Sequence, residues 1–191
     1  MIFGKSVTLL PFDEVHLPLV RKWVNQPEVR AGTGTEGPVS EYEHCRWYRN
    51  LMDDPAQRAF IIGDGAGEAA KPVGLIGLND LKPRRDTGEY WIYIGEPAAR
   101  RRGLATEATC LILDFGFNTL ALHRIYLYVI ENNLAALNLY RKLGFIQEGI
   151  AREQFFWRGR YLDMIQFAML EDEFREIRHL GESWHCETQS L

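Results

Sequence analysis

The stretch "IGEPAARRRGLATEATCLILDFGF", residues 94–117, decides how the chain folds. Three arginines, Arg100, Arg101 and Arg102, run into Gly103, and a helical pattern begins at once. Leu104, Ala108, Leu111 and Phe115 recur at helical spacing, so a helix is predicted from about Leu104 to Asn118, with one face packed on a sheet. The first turn of such a helix carries free backbone N–H groups and the positive end of the helix dipole. Gly103 lacks a Cβ, so another group can approach its backbone closely. The guanidinium groups add positive charge around that point. Together these features make a site for a polyphosphate or another anion. The plainer alternative is a solvated arginine loop; the strand before and the helix after favour the anion site. No GxGxxG is present, which argues against a dinucleotide fold, and no GxxxxGK[ST], which argues against an NTPase.

Working outward, "TGEYWIYIGE" is aromatic and β-branched and reads as the strand that feeds the turn. "RAFIIG" and "KPVGLIGLND" flank "DGAGEAA" as a hairpin with a loose loop. "VSEYEHCRWYRNLMDD" predicts a helix, with Ser40 as N-cap and Glu43 at the capping-box spacing. "AGTGTEGP", residues 31–38, reads as a surface loop. "SVTLLPF" reads as a first strand, and "DEVHLPLVRKWVNQPEV" as one or two short helices punctuated by Pro18 and Pro27. Downstream, "HRIYLYVIE" is apolar on both faces, as in a sheet centre. "NNLAALNLYRKLG" reads as a short helix capped by Asn132 or Asn133 and ended by Gly144. "FIQEGIAREQFFW" and "RYLDMIQFAML" form a closing hairpin with Gly159 at the turn. "EDEFREIRHLGESWHCETQSL" starts helical and frays. The order gives an α/β (α+β) fold: a mixed sheet with helices on its faces. One domain covers residues 1–191, with a core at about 6–170 and a C-terminal helix and tail at 171–191.

Composition sets the outer bounds. A chain of 191 residues, 46% hydrophobic and 25% charged, suits one globular domain. A net charge of −4 argues against general nucleic-acid binding. Cys45, Cys110 and Cys186 are odd in number and lack CxxC spacing, so neither a disulfide framework nor a zinc site is expected. No metal site is expected elsewhere. No signal-peptide pattern opens the chain, and no apolar run is long enough to span a bilayer. A cytoplasmic protein without membrane or nucleic-acid partners is the expectation.

Three motifs resemble one family. "RRRGLA" before a helix is similar to the acyl-CoA pyrophosphate loop of the GNAT superfamily of N-acetyltransferases, with Arg100, Gly103 and Ala105 on its Arg/Gln-x-x-Gly-x-Gly/Ala pattern. "ENNLAALNLYRKLGF" resembles the family's later signature, through Asn133, Tyr140, Lys142, Gly144 and Phe145. "EGIAREQFFWRGRYLDMIQFAMLEDEF" resembles the end of the branch holding ribosomal-protein N-terminal, polyamine and some aminoglycoside acetyltransferases. The resemblance implies a mostly antiparallel sheet of six or seven strands, helices on both faces, and a splay between the two central strands. It implies acetyl-CoA as cosubstrate, its pyrophosphate on the amides of roughly Arg101, Arg102, Gly103, Leu104 and Ala105. The pantetheine arm would lie between "YWIYIG" and "RIYLYVI", paired with backbone near Ile92, Tyr93 and Ile94. One amide there would face the thioester oxygen. Asn133 is either a helix N-cap or a further cofactor contact.

Acetyl transfer needs a neutral amine, and freeing the lone pair of an amine of pKa about 10.4 at pH 7 costs about 4 to 5 kcal/mol. A base is therefore worth seeking, as is an acid for the departing thiolate. Tyr140 matches the family tyrosine and is the candidate acid, although its spacing with Ala136 and Leu143 also suits core packing. Glu89 shares a strand face with Trp91 and Tyr93 and is the first candidate base; a solvated strand-end glutamate is the alternative. Glu131 is the second, or it caps the following helix. Solvent can also serve. His44 and His123 are lone histidines and receive no function. No Ser-His-Asp or Cys-His arrangement stands out, so direct transfer is preferred over an acyl-enzyme. The expected partner is an amine, a protein N-terminus or a small molecule such as a polyamine or amino sugar. A homodimer is left open. The alternative reading is a non-catalytic acyl-CoA-binding or regulatory module on the same fold.

Overall fold

Eight strands join in one open sheet, in the order β1-β2-β3-β4-β5-β6-β8-β7. The computed structural model describes residues 1–82 and 86–180. In chain order the elements are β1 (Ile2–Phe3), β2 (Val7–Pro11), α1 (Leu17–Val24), α2 (Pro27–Thr33), α3 (Glu41–Asp53), β3 (Arg58–Asp64), β4 (Lys71–Lys82) and β5 (Thr87–Ile94). Then follow α4 (Leu104–Asp114), β6 (Arg124–Ile130), α5 (Leu134–Lys142), β7 (Ile146–Trp157), β8 (Arg160–Leu170) and α6 (Glu171–Leu180). Every neighbouring pair is antiparallel except β5 and β6, which run parallel. The mixed, mostly antiparallel sheet agrees with the sequence reading. The strand beyond the expected seven is β1, two residues paired with Thr8 and Leu9. It is too short to show alternation. The tail from residue 181 lies outside the described residues, as does Cys186.

Local chemistry sets the boundaries. Ser40 caps α3 with the full reciprocal box: its Oγ accepts from the Glu43 N–H, and the Glu43 carboxylate accepts from the Ser40 N–H. Residues 31–33 are not loop but the last turn of α2, which Pro27 opens and Gly34 ends at φ 72°. The glycine-rich composition concealed a helix with its terminator. α4 stops at Asp114 rather than Asn118, and one π-type turn, Phe115–Thr119, follows. A Cβ on Gly116 would lie 2.6 Å from Ile125 Cδ1, so the missing side chain lets this turn seat on β6. Arg158 and Gly159 both have positive φ, 48° and 85°, the geometry of a tight two-residue hairpin turn.

Two apolar clusters sandwich the sheet. On one face α4 and α5 pack on β5, β6 and β8, with Leu104, Leu111 and Tyr140 against Tyr90, Leu127 and Phe167. On the other, α1 and α3 bring Val20, Trp23, Tyr48 and Leu51 against Ile61 and Leu75. β5 alternates between them: Tyr90, Ile92 and Ile94 serve the first cluster, Trp91 and Tyr93 the second. Leu111, Ile112 and Leu113 are fully buried, and each contributes about 2 kcal/mol. Packing of this strength fixes α4 in place, and with it the turn that precedes it.

Candidate active site

The two central strands part company. β5 and β6 pair only at Thr87–Arg124, Gly88–Ile125 and Glu89–Tyr126. Beyond that point β5 stays with β4 as far as Ile94, and β6 stays with β8 as far as Ile130. A gap therefore opens inside the sheet, lined by strand edges that have no strand partner there among the described residues. The direction of each peptide group follows from alternation along the strand. The Gly95 N–H donates to Val73 O at 2.9 Å, and Tyr93 O lies against Gly74. Tyr93 thus turns its peptide to β4, while Ile92 and Ile94 turn theirs to the gap. Tyr93 is still among the residues that line the cleft.

The arginine-glycine turn stands at one end of this gap. Arg101 has φ 61° and Gly103 has φ 84°, and nothing lies within 4 Å of where a Gly103 Cβ would be. The amino end of α4 is therefore open. Glu107, the one acid of its first turn, faces away and accepts from the Ser6 N–H at 2.7 Å and the Val7 N–H at 3.2 Å. The three arginines divide their work in a way the sequence did not reveal. Arg100 donates to Ile94 O at 3.2 Å and to Gln26 Oε1 at 2.9 Å, tying the turn to the end of β5. Arg102 forks onto Asp64 at 2.5 and 3.3 Å. Of the three arginines, Arg101 alone lines the cleft, together with Gly103, Leu104 and Ala105. Charge pooled around one point is thus not what the structure has: two of the three arginines brace the turn.

From the turn a cleft of about 1230 Å³ runs through the gap to the opposite sheet face. Small-molecule pockets are typically ~300–1,000 Å³, so this one has room for a long cosubstrate and an acceptor together. Its walls include both faces of β5, the inner face of α5 with Asn133, Ala136 and Tyr140, and the inner face of α3 with His44 and Trp47.

Tyr140 lies where α5 meets the gap. Asn133 caps that helix, its Oδ1 accepting from the Ala136 N–H at 3.2 Å, and Gly144 at φ 88° ends it. Asn133 is therefore a cap that also lines the cleft. The Tyr140 ring stands edge-on to Tyr90 at 5.9 Å and to Phe145 at 5.8 Å. Burial pushes its phenol well above the usual value of about 10, so the group is a proton donor throughout the neutral range. Core packing and cleft exposure are both true of this residue. Glu89 lines the cleft at the point where strand pairing ends, and is half-buried. Burial first, and the negative charge of Asp80 second, raise its pKa. It is a stronger base than an ordinary carboxylate. Glu131 is not with them. Its Oε1 accepts from the Asp163 N–H at 3.2 Å, so it neither lines the cleft nor caps α5. Its backbone N–H also donates to Asp163 O at 3.0 Å, so the strand end stays paired with the neighbouring β8. His44, given no function from sequence, joins the site beside Trp47, which belongs to the segment at residues 12–53 expected to build the acceptor pocket. They sit one turn apart on α3, with Leu51 one turn further on, and that spacing was the available signal.

An anion-receptive turn leading to a slot between two strands, with a buried phenol and a raised carboxylate along it, defines an acyl-CoA-dependent acyltransferase. The chain belongs to the acetyltransferase (GNAT) domain family, whose pattern its residues 6–146 match. Spermidine N(1)-acetyltransferase of Escherichia coli K12 is 32% identical over 169 residues, covering 88% of each chain. Alpha/beta-tubulin-N-acetyltransferase 9 of Mus musculus is 31% identical over 160 residues, covering 77% of this chain and 64% of that one. Spermidine N-acetyltransferase from Vibrio cholerae, solved in complex with CoA and spermine, superposes with a TM-score of 0.83 at 28% identity, over 89% of this chain and 98% of that one; that enzyme also has a dodecameric structure. The protein is an N-acetyltransferase with acetyl-CoA as its cosubstrate. Among the described residues no helix is long and apolar enough to cross a membrane.

Proposed function

We propose that the chain acetylates a primary amine of a polyamine such as spermidine. The observation that carries this is the α3 side of the cleft, where Glu36, Glu43 and Glu89 share walls with Trp47, Trp91 and Phe155. Carboxylates attract a polycation, and aromatic faces hold ammonium groups and the apolar stems between them. The spermidine-acetylating relatives support the same acceptor class.

Acetyl-CoA supplies an activated thioester carbonyl. The amides of Arg101 to Ala105 bind its pyrophosphate, with Arg101 adding charge, and the peptide groups of Ile92 and Ile94 hold the pantetheine arm as a further strand. Arg100 and Arg102 keep the turn in shape. Glu89 draws a proton from the incoming ammonium, directly or through water, and Tyr140 gives one to the departing thiolate. The raised pKa of Glu89 makes it a stronger base, and the raised pKa of Tyr140 keeps the phenol protonated and ready to donate, although as a weaker acid than a free phenol.

Incubation with acetyl-CoA and an amine panel, read by mass spectrometry, tests the acceptor. Monoacetylated spermidine or spermine should be the main product; acetylation confined to peptide N-termini or amino sugars would reject the polyamine. Glu89→Gln should lower kcat/KM about tenfold at pH 7 and remove the acid limb of its pH profile. That limb should lie above the ordinary carboxylate range in the wild type, because activity appears only as pH rises through the raised pKa. A variant with the wild-type profile would leave the base to solvent. We further infer a multimeric enzyme, as in the dodecameric relative, and a cytoplasmic one, which suits the free thiols of Cys45 and Cys110.

A further inference from the structure

His44 takes no part in the chemistry above, yet it is built into the cleft. It lies on the inward face of α3 and is 4% exposed. Its Nε2 is buried and has no hydrogen-bond partner among the described residues. A bare buried ring nitrogen is unfavourable in the free protein, and an apolar side chain would avoid that cost. The ring stacks on Trp47, with centroids 5.2 Å apart and planes 29° from parallel. Both residues line the cleft on the sheet face that carries Glu89 and Trp91.

We propose that His44 positions the acceptor, its Nε2 accepting a hydrogen bond from an N–H of the bound amine. The proposal rests on the acceptor occupying the α3 side of the cleft. Burial first, and the charge of Arg21 second, lower the pKa of His44, which keeps the ring neutral at pH 7. A neutral ring protonated on Nδ1 offers a lone pair at Nε2. Arg21 itself is engaged by Glu41 at 3.2 Å. An ammonium N–H is a charge-assisted donor to this lone pair. The missing partner of His44 is thus supplied by the substrate, after a small turn of the ring brings the shielded Nε2 to the cleft surface, and the bond is present only in the complex.

Two variants separate this role from plain packing. His44→Leu fills similar space without a polar atom, and His44→Gln can set an amide oxygen near the Nε2 position. His44→Leu should raise the acceptor KM about tenfold, equivalent to about 1.4 kcal/mol. It should leave kcat and the acetyl-CoA KM within about twofold, as loss of uniform binding does, and melt no lower than the wild type. His44→Gln should recover most of the acceptor KM. The proposal falls if His44→Leu leaves the acceptor KM unchanged, loses kcat instead, or melts lower, or if His44→Gln does no better than His44→Leu. Spermidine is assayed first, then the panel amine that the wild type turns over fastest. A wild type idle on spermidine but active on another amine rejects the polyamine alone, and the His44 comparison then runs on that amine. The melting comparison needs no acceptor.

Discussion

Tyr140→Phe should lower kcat about a hundredfold or more while leaving the acetyl-CoA KM within about twofold, the range expected when one positioned proton donor is lost. The substitution removes a single oxygen. The ring keeps its edge-on contacts with Tyr90 and Phe145, and no hydrogen bond to the phenol exists among the described residues to be broken. Melting should therefore not change, so a fall in rate cannot be charged to unfolding. Because burial holds the phenol's pKa well above its ordinary value, the donor stays protonated across any neutral assay range. Tyr140 should accordingly contribute no basic limb to the wild-type profile near neutrality. Steady-state kinetics on both proteins decide the matter. An unchanged kcat would leave Tyr140 as a core aromatic that borders the cleft, with the leaving thiolate protonated by solvent.

Gly103→Glu should raise the acetyl-CoA KM about a hundredfold. Two effects add. A non-glycine residue at φ 84° is strained by about 1–2 kcal/mol, and a carboxylate would stand where α4 offers its open N–H groups to an anion. Nothing lies within 4 Å of the added Cβ, so the first atom of the side chain meets open space. Gly103→Asn separates the two effects, since asparagine tolerates positive φ and carries no charge. It should lose only a few-fold. Calorimetric titration with acetyl-CoA measures both variants. Wild-type affinity in Gly103→Glu would place the pyrophosphate somewhere other than this turn.

What the sequence made legible followed from short-range rules. The Ser40–Glu43 box, the Asn133 cap, Gly144, the Arg158–Gly159 turn and the four-residue rhythm of Leu104, Ala108 and Leu111 all act within a few positions, and all are seen. What was hidden depends on contacts distant in the chain. Nothing near Arg102 announces that Asp64, 38 residues away, holds its guanidinium. Nothing near Arg100 announces Gln26. Three adjacent cations therefore looked like one pool of charge, when two are braces. Glu131 was judged by its place at a strand end, and its actual partner, the Asp163 N–H, comes from a later strand. His44 looked like any lone histidine until the fold set it in a wall with a bare nitrogen. The glycine-rich stretch misled for a different reason: composition alone does not separate a loop from a short helix that ends at its glycine.

The passage through the sheet has a consequence for traffic. In the proposed function the nucleotide end of one reactant is received on the α4 side and the other reactant on the α3 side, the two sheet faces that the cleft residues span, so neither would have to pass the other on the way in or out. Approach from two faces would let the enzyme load its reactants without an obligatory sequence, and spent thiol and acetylated product would likewise depart independently. The unzipped seam between β5 and β6 thereby serves as the meeting point of two routes.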